Sequence, residues 1–280
     1  MAEAERYIDV FTNAINRFSK HLHKELKKEN NTLFSSVGIH TFLTILSQDS
    51  WFYNKDIFNR ALYLEVNIAS TRYKEMFDVF SNINNVVIAN ASFLKSNQVQ
   101  EVFKNRLRDK FATEVNFLDF TTAINAWICD LTHQEITPFI NLKDDANVTF
   151  LNATCFKNNW TEPFSMDETL PAPFYLNEQN TVQVQMMRKK GNFYFANYAP
   201  LDVKILKLPF AGNSVSLVVL LPRKGTDINR FIQQIFFDFY LTEFIRNMTK
   251  QQVDVSFPKF KMCENLKLKQ YLSKVRNLLP

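Results

Sequence analysis

The chain has 280 residues, of which 46% are hydrophobic and 22% charged, and its net charge is +5. That length buries a full core, as one large domain or two smaller ones, and the mild basic bias selects no partner by itself. Only 4 glycines accompany 28 phenylalanines, and against a usual glycine share of about 7% this argues against the phosphate-cradling loops of nucleotide enzymes.

The N-terminal Phe11, Ile15, Phe18 and Leu22 recur at three- and four-residue steps, which predicts an amphipathic first helix ending in a solvated run at Lys24, Lys27 and Lys28. Ser35 or Ser36 caps a second helix carrying Ile39, Phe42, Leu43 and Leu46, apolar enough to be buried. Asp56 to Leu64 and Ser70 to Phe80 read as two short helices. Val86 to Leu94 is a strand apolar on both faces with an internal Asn90. Val102 to Phe111 reads as a basic amphipathic helix and Glu114 to Leu118 as a short strand. Thr121 or Thr122 caps a helix with Ile124, Trp127, Ile128 and Leu131 on one face.

Val148 to Phe156 is again apolar on both alternating faces, the pattern of a central strand covered above and below. Its Asn152 needs a hydrogen-bond partner, because an unpaired buried amide costs about 1–3 kcal/mol. Sequons occur, for instance Asn90-Ala91-Ser92 and Asn152-Ala153-Thr154, and the latter falls inside this strand, where a glycan does not fit. Trp160 and the step Pro163-Phe164 close the run.

Beyond Phe164 the pattern turns to strands. Thr181 to Met186 alternates, Phe193-Tyr194-Phe195 follows, and Val203 to Leu208 returns as Val215 to Leu221 through Ala211-Gly212-Asn213, a hairpin. Asp227 caps a helix through Phe231 and Ile232, and Phe236 to Ile245 is helical. Val253 to Phe257 is a strand, and Leu266 to Val275 a last short helix. No repeat and no linker divides the chain, so residues 1–280 read as one α+β domain.

Catalytic templates find no match. His21 and His23 sit two apart on a helix and face different ways. His133-Gln134-Glu135 is not a zinc motif, and no nucleophile elbow or phosphate loop occurs. Each of the four histidines, His40 included, reads as a surface or satisfied residue. Cys155, inside an apolar strand, reads as an inert small hydrophobe. No catalytic, cofactor-binding or metal-binding residue is therefore assigned, and an enzyme is not expected. Arg188-Lys189-Lys190-Gly191 reads as a basic loop, and Lys104, Arg106, Arg108 and Lys110 decorate one helix. These support at most weak polyanion binding, and nucleic acid is disfavoured because no aromatics interleave.

Cys129, Cys155 and Cys263 lie far apart, form no CxxC and suggest free thiols in a reducing compartment. The N-terminus has no signal-peptide core, and no window approaches about 18 uninterrupted apolar residues. Cytoplasmic residence without a membrane span is the expectation, with secretion by another route left open.

Taken in order, several segments resemble the serpin family of protease inhibitors. NNTLFSSVGIHTFLTIL resembles the entry to the family's buried helix B, N-(I/V)-F-x-S-P-x-S-I-x-x-x-L-x-x-L. VVIANASFL resembles its I-A-N-x-x-(F/Y) strand, and INAWICDLTHQEI the helix lying over the main sheet. NATCFKNNWTEPF is similar to N-A-x-Y-F-K-G-x-W-x-x-P-F, the most specific match. VQMMRKKGNF, VKILKLPFAGNSVSLVVLLP and VSFPKFKM follow in family order. Low glycine with abundant Phe and Asn narrows the resemblance, as an expectation only, toward poxvirus-type serpins.

The resemblance implies a multi-sheet β core with about eight helices. It implies a shutter-like structural role for Ser35 and Asn152 beneath the main sheet, and a breach-like one for Trp160 at its top. It also implies inhibition by a cleaved bait loop that inserts as a new strand and drags an acylated protease with it. Three departures stand out. The family's Pro is Ser36, its second shutter Ser is Gly38, and the glycine before the Trp is Asn158. The sequence stops at Pro280, where the family's next strand begins, so no reactive-centre residue is assigned, and a chain without the loop and closing strands is expected not to run the insertion mechanism by itself. A binding or immune-modulatory role toward a host or endogenous protease, or another protein, is one expectation. An active serine or cysteine protease inhibitor whose C-terminal part lies outside this chain is the other.

Overall fold

The computed structural model describes residues 2–26, 31–47, 55–81, 86–94, 105, 114–116, 120–136, 148–177, 179–238, 241–268 and 271. They belong to two compact units, residues 1–157 with 263–280, and residues 158–262.

The first unit opens with α1 (Ala2–Glu25), α2 (Ser36–Leu46), α3 (Lys55–Leu62) and α4 (Val66–Ser81). The periodic stripe of α1 buries Ala14, Phe18 and Leu22. Phe18 and Leu22 meet Ile39 and Leu43 of α2, Leu62 of α3 and Val66 of α4 in one core, joined by Tyr271 from the chain's far end. As its composition demands, α2 is buried over most of its length. Its threonines are tolerated there because each bonds back to its own helix, Thr41 to the Val37 carbonyl at 2.7 Å and Thr44 to the His40 carbonyl at 2.9 Å.

A three-stranded sheet follows, in the order β2 (Glu114–Asn116), β1 (Val86–Leu94), β3 (Val148–Phe156). Strands β1 and β2 run parallel, whereas β1 and β3 are antiparallel with Asn90 opposite Asn152 and Ala91 opposite Leu151. The helix α5 (Phe120–Leu131) packs Ile124 and Ile128 on the Ala91–Leu151 side, and α2 packs on β3 from the Asn152 side. The sheet is thus covered on both faces, as the doubly apolar pattern requires. Among the described residues, however, β1 rather than β3 is the central strand. The helix α5 begins at Phe120, ahead of the expected threonine caps. All but residue 105 of the basic helix expected over 102–111, and most of the one expected over 266–275, lie outside the described residues.

The second unit is a five-stranded antiparallel sheet. It comprises β4 (Leu170–Tyr175), β5 (Thr181–Tyr198), β6 (Val203–Pro209), β7 (Ser216–Pro222) and β8 (Thr249–Pro258), with β8 pairing β5. The β6–β7 hairpin is as expected, with Gly212 and Asn213 at positive φ in its turn. Asp227 caps α6 (Ile228–Asp238) through the Asn229 and Arg230 amides at 2.8 and 3.1 Å, and α7 (Leu241–Arg246) follows. Phe231 of α6 and Phe244 of α7 cover Ala196, Val203 and Ile205 on one side of the sheet. On the other side Phe193, Leu208 and Val255 pack with Trp160 and Phe164.

One expectation is corrected here. Arg188-Lys189-Lys190-Gly191 is not a loop but the middle of β5, because β8 pairs with every residue from Met186 to Phe195. Alternation then splits the cluster. Lys189 turns to Glu162 at 3.2 Å and the Pro163 carbonyl at 3.3 Å, while Arg188 and Lys190 face solvent.

Candidate functional site

The Asn152 site begins with the way α2 starts. Ser35 holds an extended backbone, and its Oγ accepts the Gly38 amide proton at 3.0 Å, the N-cap arrangement expected of serine. This places Gly38 one turn into the helix, against β3. A Cβ at Gly38 would lie 2.2 Å from Asn152 Oδ1 and 2.7 Å from its Cγ and Nδ2. The Asn152 amide therefore fills the space that any side chain at position 38 would occupy.

From that seat Asn152 clasps the neighbouring strand. Its Nδ2 donates to the Ala89 carbonyl at 3.2 Å and to Asn90 Oδ1 at 3.1 Å, and its Oδ1 accepts from the Thr154 hydroxyl at 3.2 Å. Two acceptors on one side and a hydroxyl on the other fix which way the amide points. The anomalous buried amide thus finds its partners in the other strand with an internal asparagine. Asn90 is 3% exposed, and its own Nδ2 has no hydrogen-bond partner among the described residues. Both sequons that carry these asparagines are closed to a glycan by this burial and pairing.

Ser35 and Asn152 are therefore brought to one place, with Gly38 between them. Every member of the cluster is an amide, a hydroxyl or a glycine. It holds strands and a helix in register and has no group suited to proton transfer near neutral pH.

Trp160 is built within the second unit. It makes an isolated antiparallel bridge with Phe210 and stacks on that ring at 4.4 Å with an interplanar angle of 15°. Phe164 meets it edge-on at 6.1 Å. The backbone around it is pinned to the hairpin: Thr161 N–H donates to Pro209 O at 3.0 Å and Ala211 N–H to Asn159 O at 2.8 Å. Thr161 Oγ1 adds contacts to Phe210 O at 2.7 Å and Asn213 Oδ1 at 3.0 Å. Asn158, where the family pattern has glycine, does not need left-handed backbone, so the replacement carries no conformational strain. Its Oδ1 accepts the Asn159 amide proton at 2.8 Å.

The remaining titratable residues do not converge. Among the described residues no group of three or more His, Cys, Asp or Glu side chains is placed to hold a metal ion. Cys129, Cys155 and Cys263 form no disulfide among the described residues. No described helix is long and apolar enough to cross a membrane. Sequence reasoning missed Gly38 as the seat of the amide and Asn90 as its partner, although two internal asparagines in two doubly apolar strands were a usable signal.

The family model described as Serpin (serine protease inhibitor) matches residues 13–276, and the chain belongs to that family. It is similar to an uncharacterized serpin-like protein of Methanosarcina acetivorans, 29% identical over 265 residues, covering 89% of this chain and 62% of that protein. It is similar to human Serpin B9, 29% identical over 226 residues, covering 76% of this chain and 57% of that protein. The chain thus spans less than two thirds of the length of these relatives. Among solved structures, one described as Cleaved Serpin 42Da superimposes with a TM-score of 0.86 at 22% identity, covering 96% of this chain and 76% of that one. The serpin fold expected from the motifs is thereby shown.

Proposed function

We propose that the chain acts by binding a protease or another protein within the inhibitor class its family defines, and that residues 1–280 alone do not trap a protease covalently. The observation that carries this reading is the position of β3. Among the described residues it pairs with β1 alone, whereas the insertion mechanism expected from the family needs a further strand in that sheet. In the same reading Ser35 and Asn152 serve as the shutter-like hold on β3, and Trp160 as the breach-like anchor. A host or endogenous protease met in the cytoplasm, in an immune-modulatory role, is the partner class. The second reading, an active inhibitor completed by sequence outside this chain, is favoured by the greater length of the relatives.

The test is to incubate the 280-residue chain with a panel of serine and cysteine proteases. Binding is followed by biolayer interferometry and covalent trapping on a denaturing gel. The proposal expects binding without a shifted band. A band at the summed mass would overturn it, and a band formed only by a longer polypeptide that carries sequence beyond residue 280 would establish the second reading.

A further inference from the structure

His40 lies in the middle of α2 with no exposed surface. Its Nε2 is 2.9 Å from the Leu62 carbonyl, at the last residue of α3, and its Nδ1 is 2.6 Å from the Tyr73 hydroxyl on α4. Phe18 of α1 meets the ring edge-on at 5.2 Å. One imidazole on α2 therefore touches the other three helices of this layer.

The partners dictate the tautomer. A carbonyl only accepts, so Nε2 carries the proton, caps an end carbonyl of α3 and leaves Nδ1 as an acceptor for the Tyr73 O–H. The set is complete for the neutral ring. A proton on Nδ1 would turn the acceptor into a donor, so that the Tyr73 hydroxyl would have to turn and accept, and would place a cation in a fully buried seat whose hydrogen-bond partners among the described residues are a carbonyl and a hydroxyl. On α1, Arg17 stacks over Tyr63 at 4.4 Å and His21 bonds the Arg17 carbonyl. On α3, the group presented is the Leu62 carbonyl. On α4, Tyr73 is the titratable neighbour, and Arg72 pairs with Glu75 at 2.6 Å. On α2 itself, Thr41 lies beside the Tyr73 hydroxyl.

We propose that His40 is an acid-release pin: protonation at Nδ1 reverses its bond to Tyr73, buries a cation in the middle of α2 and loosens α2 from α3 and α4. The balance is simple, since one proton is taken from water and the Tyr73 hydroxyl changes from donor to acceptor. Burial pushes the His40 imidazole down from 6.5 to about 4, outweighing the Leu62 carbonyl, which favours the cation. An unfolded or loosened chain takes up that proton below about pH 6.5, and the packed form does so only near pH 4. The stability this residue contributes is therefore complete above pH 6.5 and drains away as the pH falls toward 4. The difference is worth up to roughly 300-fold in the folding equilibrium. Because α2 also carries Gly38 against Asn152, acid release at His40 acts on the helix that seats the clasp.

The experiment follows urea unfolding of the full chain between pH 7.5 and 4.5 beside His40→Gln, which keeps a donor and an acceptor without titrating. The proton shifts of the histidine rings in the parent are recorded over the same range. The proposal expects the parent to lose on the order of 100-fold more folding equilibrium than the variant. It also expects the His40 ring to remain neutral at pH 5. Parallel pH profiles in parent and variant would overturn it. Should His40→Gln fail to fold, the ring titration of the parent decides alone: a His40 ring that titrates near 6.5 would refute the pin.

Discussion

The Asn152 clasp and the Trp160 anchor come from one continuous stretch of chain, yet they hold it by opposite means. Asn152 depends on individual atoms: three hydrogen bonds between 3.1 and 3.2 Å, and a seat that exists because Gly38 has no Cβ. Trp160 depends on area, with one ring stacked on Phe210, another edge-on, and the hydrophobic cluster of Phe193, Leu208 and Val255 behind it. The difference concerns how each fails. An apolar anchor weakens in proportion to the surface it loses, whereas a polar clasp fails when one neighbouring atom is added or removed.

The largest effect is expected at the anchor. Trp160→Ala removes the stack and exposes Phe210 and Phe164. A fully buried tryptophan would cost about 3–5 kcal/mol, and the half-buried position of Trp160 brings the expected loss to about 2–3 kcal/mol. Trp160→Phe should recover most of it. Urea midpoints measure both, and a Trp160→Phe variant as weak as Trp160→Ala would show that area is not what holds the segment.

A smaller but sharper effect is expected at the clasp. Asn152→Ala abandons the Asn90 and Ala89 acceptors and should cost about 2 kcal/mol. Gly38→Ala should cost about 1 kcal/mol in the parent, because eviction of the amide outweighs the helix propensity gained by alanine. In the Asn152→Ala background the seat is empty, and the same Gly38→Ala change should instead stabilise by about 0.5–1 kcal/mol. That reversal of sign, read from a four-member urea cycle, is the signature of an interlocked pair. Additive effects would break the comparison at its polar end.

These particulars show what the sequence makes legible. The asparagine inside a doubly apolar strand declares that a partner exists, and the motif order declares the fold. The identity of the partner is a matter of register, since Asn90 is 62 residues away and local pattern does not set that alignment. Gly38 reads in sequence as a lost hydroxyl, whereas in the fold it is the space another side chain uses. His40 reads as a satisfied histidine, which it is. Its bonds reach 22 and 33 residues along the chain, so only tertiary structure shows four helices sharing it. The basic run at Arg188–Lys190 misleads in the other direction: charge and a glycine suggest a loop, and ladder pairing with β8 overrides them.

The smallest effect separates two roles for Ser35. In the structure its hydroxyl serves its own helix, accepting the Gly38 amide proton, while the family resemblance would make it part of the hold on the sheet. Ser35→Ala should cost about 1 kcal/mol in either role, so that variant alone does not discriminate. Ser35→Asn does, because asparagine caps a helix as well as serine but places its amide differently from the serine hydroxyl. If capping is the role, Ser35→Asn should match the parent within about 0.5 kcal/mol, and its effect should add to that of Asn152→Ala. If the asparagine variant is as weak as the alanine one and loses its effect once Asn152 is gone, the hydroxyl belongs to the clasp, and the polar site extends from β1 through β3 into the first turn of α2.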